Sequence, residues 1–195
     1  EKHRQQIKQE VLNKGWNSEK KAFVQHYETD ALDASNLLMP FYRFVGYDDP
    51  RMLSTVEAIQ NELTEDELVY RYKVDDGLSG AEGTFLVCTF WLVDNLIGQK
   101  RFEEARNLLF RLKDTASRLG LFSEEYDPEW EEALGNFPQA FTHIGYINSV
   151  ISLCRARAKQ KKRPPKKTVS QKAEQKLFIT RKFILNEPSP EKQAS

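Results

Sequence analysis

The chain has 195 residues, 39% of them hydrophobic and 30% charged, with equal numbers of acidic and basic side chains. That is enough for one domain with a core, while two cysteines are too few for a disulfide framework or a cysteine-based metal site. The neutrality hides an asymmetry: residues 1–154 hold 16 Lys and Arg against 26 Asp and Glu, whereas residues 155–195 hold 13 against 3. The acidic part reads as the folded body and the basic part as an extension.

Six helical segments follow in chain order, of two alternating kinds. Residues 1–14, 50–63 and 101–119 are amphipathic and charged. In the last of them Phe102, Ala105, Leu108, Leu109 and Leu112 recur at helical spacing. Residues 33–45, 82–97 and 138–154 are apolar nearly all round, and such a helix must be surrounded by protein. Asp49-Pro50 and Pro138 are start signals, and Gly98 and Gly120 are stop signals. The paired segments recur about every fifty residues. The expected fold is therefore all-α, with inner and outer helices alternating as hairpins around an axis. A solenoid scaffold is the other architecture, but its repeats would resemble one another, and these inner helices do not. Cys88 and Cys154 both fall in apolar helical patterns and read as buried, reduced thiols. The sequence begins at Glu1 within a helical pattern, so it reads as part of a longer protein; its opening stretch "EKHRQQIKQEV" has no apolar signal core, and the expected compartment is the cytoplasm. No run reaches the roughly 18 apolar residues of a membrane span.

Each inner helix opens on polar groups: Asp33, Glu82, and Gln139 with His143. Tyr70, Arg71 and Tyr72 lead into the second, and Glu124 and Glu125 lie in "GLFSEEYDP" (120–128), ahead of the third. If the inner helices run parallel, these groups meet at one rim beside helix N-termini. With Trp91 and Phe137 near, such a rim suits a sugar, whose rings pack on aromatic faces and whose hydroxyls bond to carboxylates and arginine. Taken singly each has a plainer reading. Asp33 and Glu82 would be first-turn helix charges, His143 a satisfied core histidine, Trp91 core packing, and the glutamate pair solvated loop carboxylates.

"TDALDASNLLMPFYRFVGYDDPRMLSTVEAI", "LVYRYKVDDGLSGAEGTFLVCTFWLVDNL" and "GLFSEEYDPEWEEALGNFPQAFTHIGYINSV" resemble the C-terminal part of the bacterial glucoamylase and trehalase group, glycoside hydrolase family 15. The resemblance covers residues 1 to about 156. It implies an (α/α)6 barrel, of which this chain would form about half, and an inverting hydrolase of α-glucosides such as trehalose, maltose or an α-glucan, without cofactor or metal. Inversion uses a general acid and a general base roughly 6.5–9.5 Å apart. Ser123-Glu124-Glu125 matches the family's base motif, which makes Glu124 the candidate general base. Arg71 matches the arginine that holds the glucosyl unit, and Tyr70, Glu82 and Gln139 fall in motifs lining the same pocket. The family's general-acid motif lies upstream of everything present here. Trp130-Glu131 lacks that motif's arginine and follows the base, so it is no substitute. The expected partner is the N-terminal part of the barrel, as upstream sequence or as a separate chain, and the isolated chain is expected to turn over little or nothing. A non-catalytic helical module, binding sugar or acidic partners, is the competing class.

The segment "RARAKQKKRPPKKTVSQKAEQKLFITRK" (155–182) has the charge density and the Pro164-Pro165 pair of a disordered extension from about residue 157 onward. Nucleic-acid binding by this tail is the sharper but weaker reading, because aromatics for base stacking are not interleaved.

Overall fold

The computed structural model describes residues 1–74, 77 and 82–161. Contacts divide the chain into two units, Glu1–Ala158 and Lys159–Ser195, and the account below concerns the first. The tail reading lies outside the described residues.

Among the described residues the fold is mostly helical, with five α-helices and one 3-10 helix. Helix α1 (Lys2–Lys14) lies on the surface with no residue fully buried. Helix α2 (Pro50–Glu62) starts as its sequence dictates: Asp49 accepts a hydrogen bond from the Arg51 N–H, and proline occupies the first turn. Helix α3 (Leu86–Gly98) buries ten of its thirteen residues. Helix α4 (Phe102–Asp114) turns Ala105, Leu108, Leu109 and Leu112 inward against α3 and keeps its charges outside. Helix α5 (Ala140–Lys161) is the longest, at 22 residues. No described helix is long and apolar enough to cross a membrane.

Three departures from the sequence reading concern local geometry. The first inner helix, expected over 33–45, is a 3-10 helix of five residues, Ala34–Leu38, followed by turns. Asp33 accepts from the Ser35 N–H and starts it, while Pro40 and the left-handed Arg43 (φ 57°) keep the chain from continuing helically. Second, the second inner helix begins at Leu86 rather than at Glu82, because Thr84–Phe85 is taken up as a strand. Third, the chain is not purely helical. Strands β1 (Trp16–Asn17) and β2 (Ala22–Phe23) form one hairpin, and β3 (Thr64–Glu65) and β4 (Leu68–Val69) another. Strands β5 (Thr84–Phe85), β6 (Glu125–Asp127) and β7 (Glu132–Leu134) form a three-stranded antiparallel sheet.

These short strands are tied to helices by threonines. The Phe23 N–H donates to Thr55 Oγ1 of α2, and the Val69 N–H to Thr89 Oγ1 of α3, both at 2.9 Å. Each bond satisfies a strand donor that would otherwise be buried without a partner. Asn95 serves the 3-10 helix in the opposite sense, donating from Nδ2 to the Leu37 carbonyl at 2.8 Å. One apolar cluster runs from Phe23 and Met52 through the whole of α3 to Leu112 and Leu153.

The third apolar helix behaves otherwise. Phe141, Ile144, Ile147 and Ile151 of α5 are 70, 53, 53 and 41% exposed, so α5 is apolar but not surrounded by the described residues. Cys154, expected inside, is exposed on this helix, whereas Cys88 is buried as expected. Burial pushes the Cys88 thiol up, which keeps it protonated.

Candidate active site

Glu124 stands at the head of β6 and is fixed there from both sides. Its N–H donates to the Asn136 carbonyl at 2.9 Å, and its own carbonyl accepts from the Leu86 N–H at 3.1 Å. These two bonds extend the three-stranded ladder by one residue. Its side chain is gripped as well: Oε2 accepts from the Asn136 N–H at 3.1 Å and from Asn136 Nδ2 at 2.7 Å. Gly135 allows this close approach. It has φ of 69°, and a Cβ there would lie 3.0 Å from both Cβ and Oε2 of Glu124.

A strand sends successive side chains to opposite faces, and this separates the two neighbouring glutamates. Glu124 lines a cavity of about 480 Å3. Glu125 does not; it points to the other face and accepts from the Gly83 N–H at 3.3 Å. Burial pushes the Glu125 carboxyl up against that hydrogen bond, and the like charges of Glu82 and Glu124 add to the rise.

Arg71 reaches the same cavity from the end of the β3–β4 hairpin. Its carbonyl accepts from the Ala34 N–H at 2.9 Å, and its Nε donates to Asp33 Oδ1 at 3.0 Å. Asp33 is 7% exposed, so it is both the start of the 3-10 helix and the anchor that aims the guanidinium. Most of the remaining wall is apolar and aromatic, with Trp91, Tyr47, Phe41, Tyr42 and Phe141, and Asp94 and Asn148 are its polar members. A fixed carboxylate, an oriented guanidinium and aromatic faces around a volume of this size can hold a sugar ring by its hydroxyls and its apolar face.

The other three residues singled out from sequence lie outside this lining. The Tyr70 hydroxyl donates to Glu65 Oε2 at 2.6 Å, and its ring lies under the Lys73 ammonium at 4.5 Å. Glu82 is exposed, four residues ahead of α3. Gln139 serves the start of α5: its N–H donates to the Phe122 carbonyl, and its Oε1 accepts from the Phe141 N–H at 3.4 Å. His143 has the plainer role. Its Nδ1 bonds the Gln139 carbonyl at 2.7 Å, which leaves Nε2 to accept from the Phe122 N–H at 3.3 Å. Trp130 and Glu131 occupy the β6–β7 turn, with Trp130 71% exposed, and neither lines the cavity. No group of three or more His, Cys, Asp or Glu placed to hold a metal occurs among the described residues.

Asn136, Tyr47 and Asp94 escaped the sequence reading. "LGNF" gave no sign that Asn136 would grip a glutamate twelve residues earlier. Asp94 did leave a signal, as a lone carboxylate inside the apolar run "FWLVDNLI". It lines the cavity and accepts from Ser149 Oγ of α5 at 2.9 Å. Burial pushes its carboxyl up to about 6, opposed by the Ser149 hydrogen bond. The Tyr47 ring lies against Gly98, where a Cβ would approach its atoms to 2.3 Å.

Comparison with known proteins identifies the family. The model for glycosyl hydrolases family 15 matches residues 1–151. The trehalase of Mycobacterium tuberculosis is 50% identical over 154 residues, which are 77% of this chain and 22% of that protein. The trehalase of Mycolicibacterium smegmatis is 49% identical over 155 residues, 78% of this chain and 23% of that protein. The trehalase of Thermoplasma volcanium is 43% identical over 143 residues, 73% of this chain and 23% of that protein. The chain thus spans about a quarter of the length of the curated relatives it matches. Among solved structures, a wild-type glycosidase superposes with a TM-score of 0.67 at 22% identity, over 78% of this chain and 43% of its own. A glycosidase in complex with glucose superposes equally well. That identity speaks for the fold alone, whereas the family model reaches from α1 into α5 and includes both walls of the Glu124 cavity. This chain is therefore a member of glycoside hydrolase family 15, and spans part of that family's catalytic domain.

Proposed function

We propose that this chain carries the general-base part of an inverting α-glucoside hydrolase, with Glu124 as the base and trehalose as the substrate. The observation that carries this reading is the asymmetric hold on Glu124. Oε2 takes both hydrogen bonds from Asn136, while Oε1 accepts none among the described residues. A general base needs this arrangement: one oxygen fixes the carboxylate and the other is open to a water in the cavity. Arg71, braced by Asp33, binds the glucosyl hydroxyls, and Trp91 offers it an apolar face. Tyr70 and Gln139, which lie outside the present lining, contribute through the elements they hold in place, and Glu82 through its like charge near Glu125. The choice of trehalose rests on the relatives, which are named as trehalases at up to 50% identity.

In this reading the helices form an arc of an (α/α)6 toroid, and the general acid comes from the rest of it. Among the described residues the only other carboxylate lining the cavity is Asp94, which is engaged by Ser149. Loss of a general acid typically costs about 10²–10⁴-fold, so the chain alone is expected to bind sugar with little turnover. That is also the form in which the competing reading, a sugar-binding module, retains meaning.

The test joins the chain to the rest of a family 15 catalytic domain from a close trehalase and follows trehalose by NMR. Each bond cleaved should initially release one β-glucose, from inversion at the attacked carbon. Glu124→Gln keeps the Asn136 bonds but cannot take the proton from water, so kcat should fall by about 10²–10⁴-fold with KM little changed. Glu125→Gln should cost under about tenfold, and Arg71→Ala should raise KM as well as lower kcat. Full activity in the Glu124→Gln protein would sink the assignment.

A further inference from the structure

Two surface features stand apart from Glu124 and match one another in chemistry. The first is the β6–β7 turn. Trp130 is 71% exposed at its tip, beside the exposed Glu129, Glu131 and Glu132. The turn is firmly set: Asp127 Oδ1 accepts from the Glu129 and Trp130 N–H groups at 2.9 and 3.1 Å, and Asp127 pairs with Glu132 across the ladder. The second feature is a groove of about 580 Å3 between α1 and the turn that leads into α2. Leu12, Pro40, Phe44 and Val45 give it an apolar floor, and Lys8 and Arg43 line it as well. The Lys8 ammonium lies 5.3 Å from the centre of the Phe44 ring, which holds it over that floor. Asp49, the one carboxylate of the lining, is taken up by the Arg51 guanidinium at 3.0 and 3.2 Å and by the start of α2. Among the described residues neither Lys8 and Arg43 nor the three glutamates of the tip enter an ion pair.

We propose that this groove takes the Trp130 tip of a second copy of the chain, with the indole on the apolar floor and the glutamates against Lys8 and Arg43. Charge, size and reach select this occupant. Three unpaired carboxylates on the tip face two unpaired cations in the groove, so the signs are complementary. A groove of this volume holds one aromatic side chain with its polar neighbours. The chain cannot serve itself. Its tip extends from the sheet that precedes Leu86, the first residue of α3, whereas Tyr47 of the groove packs on Gly98, the last. The 13 residues of α3 set the two ends about 18 Å apart. Burial of the ring supplies most of the attraction, and the charges supply orientation and salt dependence, because exposed ion pairs contribute little. The contact involves neither Glu124 nor α5, so it stands independently of the function proposed above.

The test uses the full chain carrying Ile147→Ser, which weakens association through α5 and leaves tip and groove intact, in sedimentation equilibrium. Association should rise with concentration. Trp130→Ala should weaken it at least about tenfold, as should Lys8→Glu with Arg43→Glu. Raising the salt from about 50 to about 500 mM should weaken it in the same direction, since the charges lie at the surface. The changed residues carry none of the core, so the melting temperature should hold in each variant. Mixing the Trp130→Ala chain with the Lys8→Glu, Arg43→Glu chain should restore association, because one keeps the groove and the other the tip. If a groove variant does not fold, the indole gives a second reading. Acrylamide quenching of Trp130, taken as the difference between the parent and Trp130→Phe, should fall as the parent associates. A parent that stays monomeric up to about 1 mM overturns the proposal. So does association that neither variant weakens, a mixture that stays apart, or quenching that does not change as the chains come together.

Discussion

Helices α3 and α5 read almost alike in the sequence, yet one disappears into the core and the other keeps an apolar face in water. Helix α3 buries ten of thirteen residues between α4, the 3-10 helix and β4. Helix α5 touches the same core only along one side, through Thr142, Ser149 and Leu153, all buried, and through Tyr146. The packing is close where they meet: a Cβ at Gly145 would lie 3.0 Å from Phe90, and Phe90 meets the Tyr146 ring edge-on at a centroid distance of 6.1 Å. Apolar composition all round therefore reports a helix meant to be enclosed, but not what encloses it. For α3 the enclosure lies within the chain; for α5 the described residues supply it on one side only.

The largest expected effect breaks the α3 side of this comparison. Phe90→Ala removes a fully buried ring that packs against Phe122 and Tyr146, and should lower the stability of the chain by about 3–5 kcal/mol in urea unfolding. A loss near zero would mean that α3 is not the packed center of the body. Next comes Gly98→Ala at the end of α3, which drives a methyl into the Tyr47 ring and should cost about 1–3 kcal/mol. Because Tyr47 lines the cavity, the same change should weaken sugar binding in a titration with glucose.

The contact between the two helices is sharpened by Asp94. Its folded carboxyl is raised to about 6 by burial, above the ordinary value of an unfolded aspartate. The folded state therefore holds the proton more tightly, so this group favours folding below about pH 4 and loses that contribution as pH rises through 6. Asp94→Asn keeps an acceptor for Ser149 but cannot ionise. Relative to the parent chain it should gain about 1–2 kcal/mol between pH 4.5 and pH 7.5, after discounting for the open side of the cavity. Identical pH profiles for the two chains would show that Asp94 is solvated rather than held between α3 and α5. The smallest effect belongs to the free face of α5. Ile147→Ser should change the stability of the isolated chain by no more than about 0.5 kcal/mol while reducing its self-association in sedimentation. A large loss of stability would mean that this face is already covered.

Much of the helical frame was legible because it depends on local chemistry. The Asp49-Pro50 start of α2 and the inward stripe of α4 are set by capping and periodicity, which act within a turn or two. The 3-10 helix at Ala34–Leu38 was not legible, since its apolar residues carry the same pattern in either helical form. The strand at β6 was hidden for a related reason. Three residues are too few for an alternation, and Glu125–Asp127 becomes a strand only because β5 and β7, distant in sequence, supply its partners.

The candidate site divides the same way. The sequence by itself determined the family, the helical body and the two carboxylates at 124 and 125, because residue types and their spacing are properties of the chain. Which of the pair faces the cavity was decided by tertiary structure, through the pleat of β6 and the grip of Asn136. Tertiary structure also set Arg71 on Asp33 while turning Tyr70 to Glu65. These outcomes depend on contacts between residues five to thirty-eight positions apart, or on which face of a strand a residue takes. A linear pattern encodes the periodicity of one element, but not the neighbour that will stand across from it.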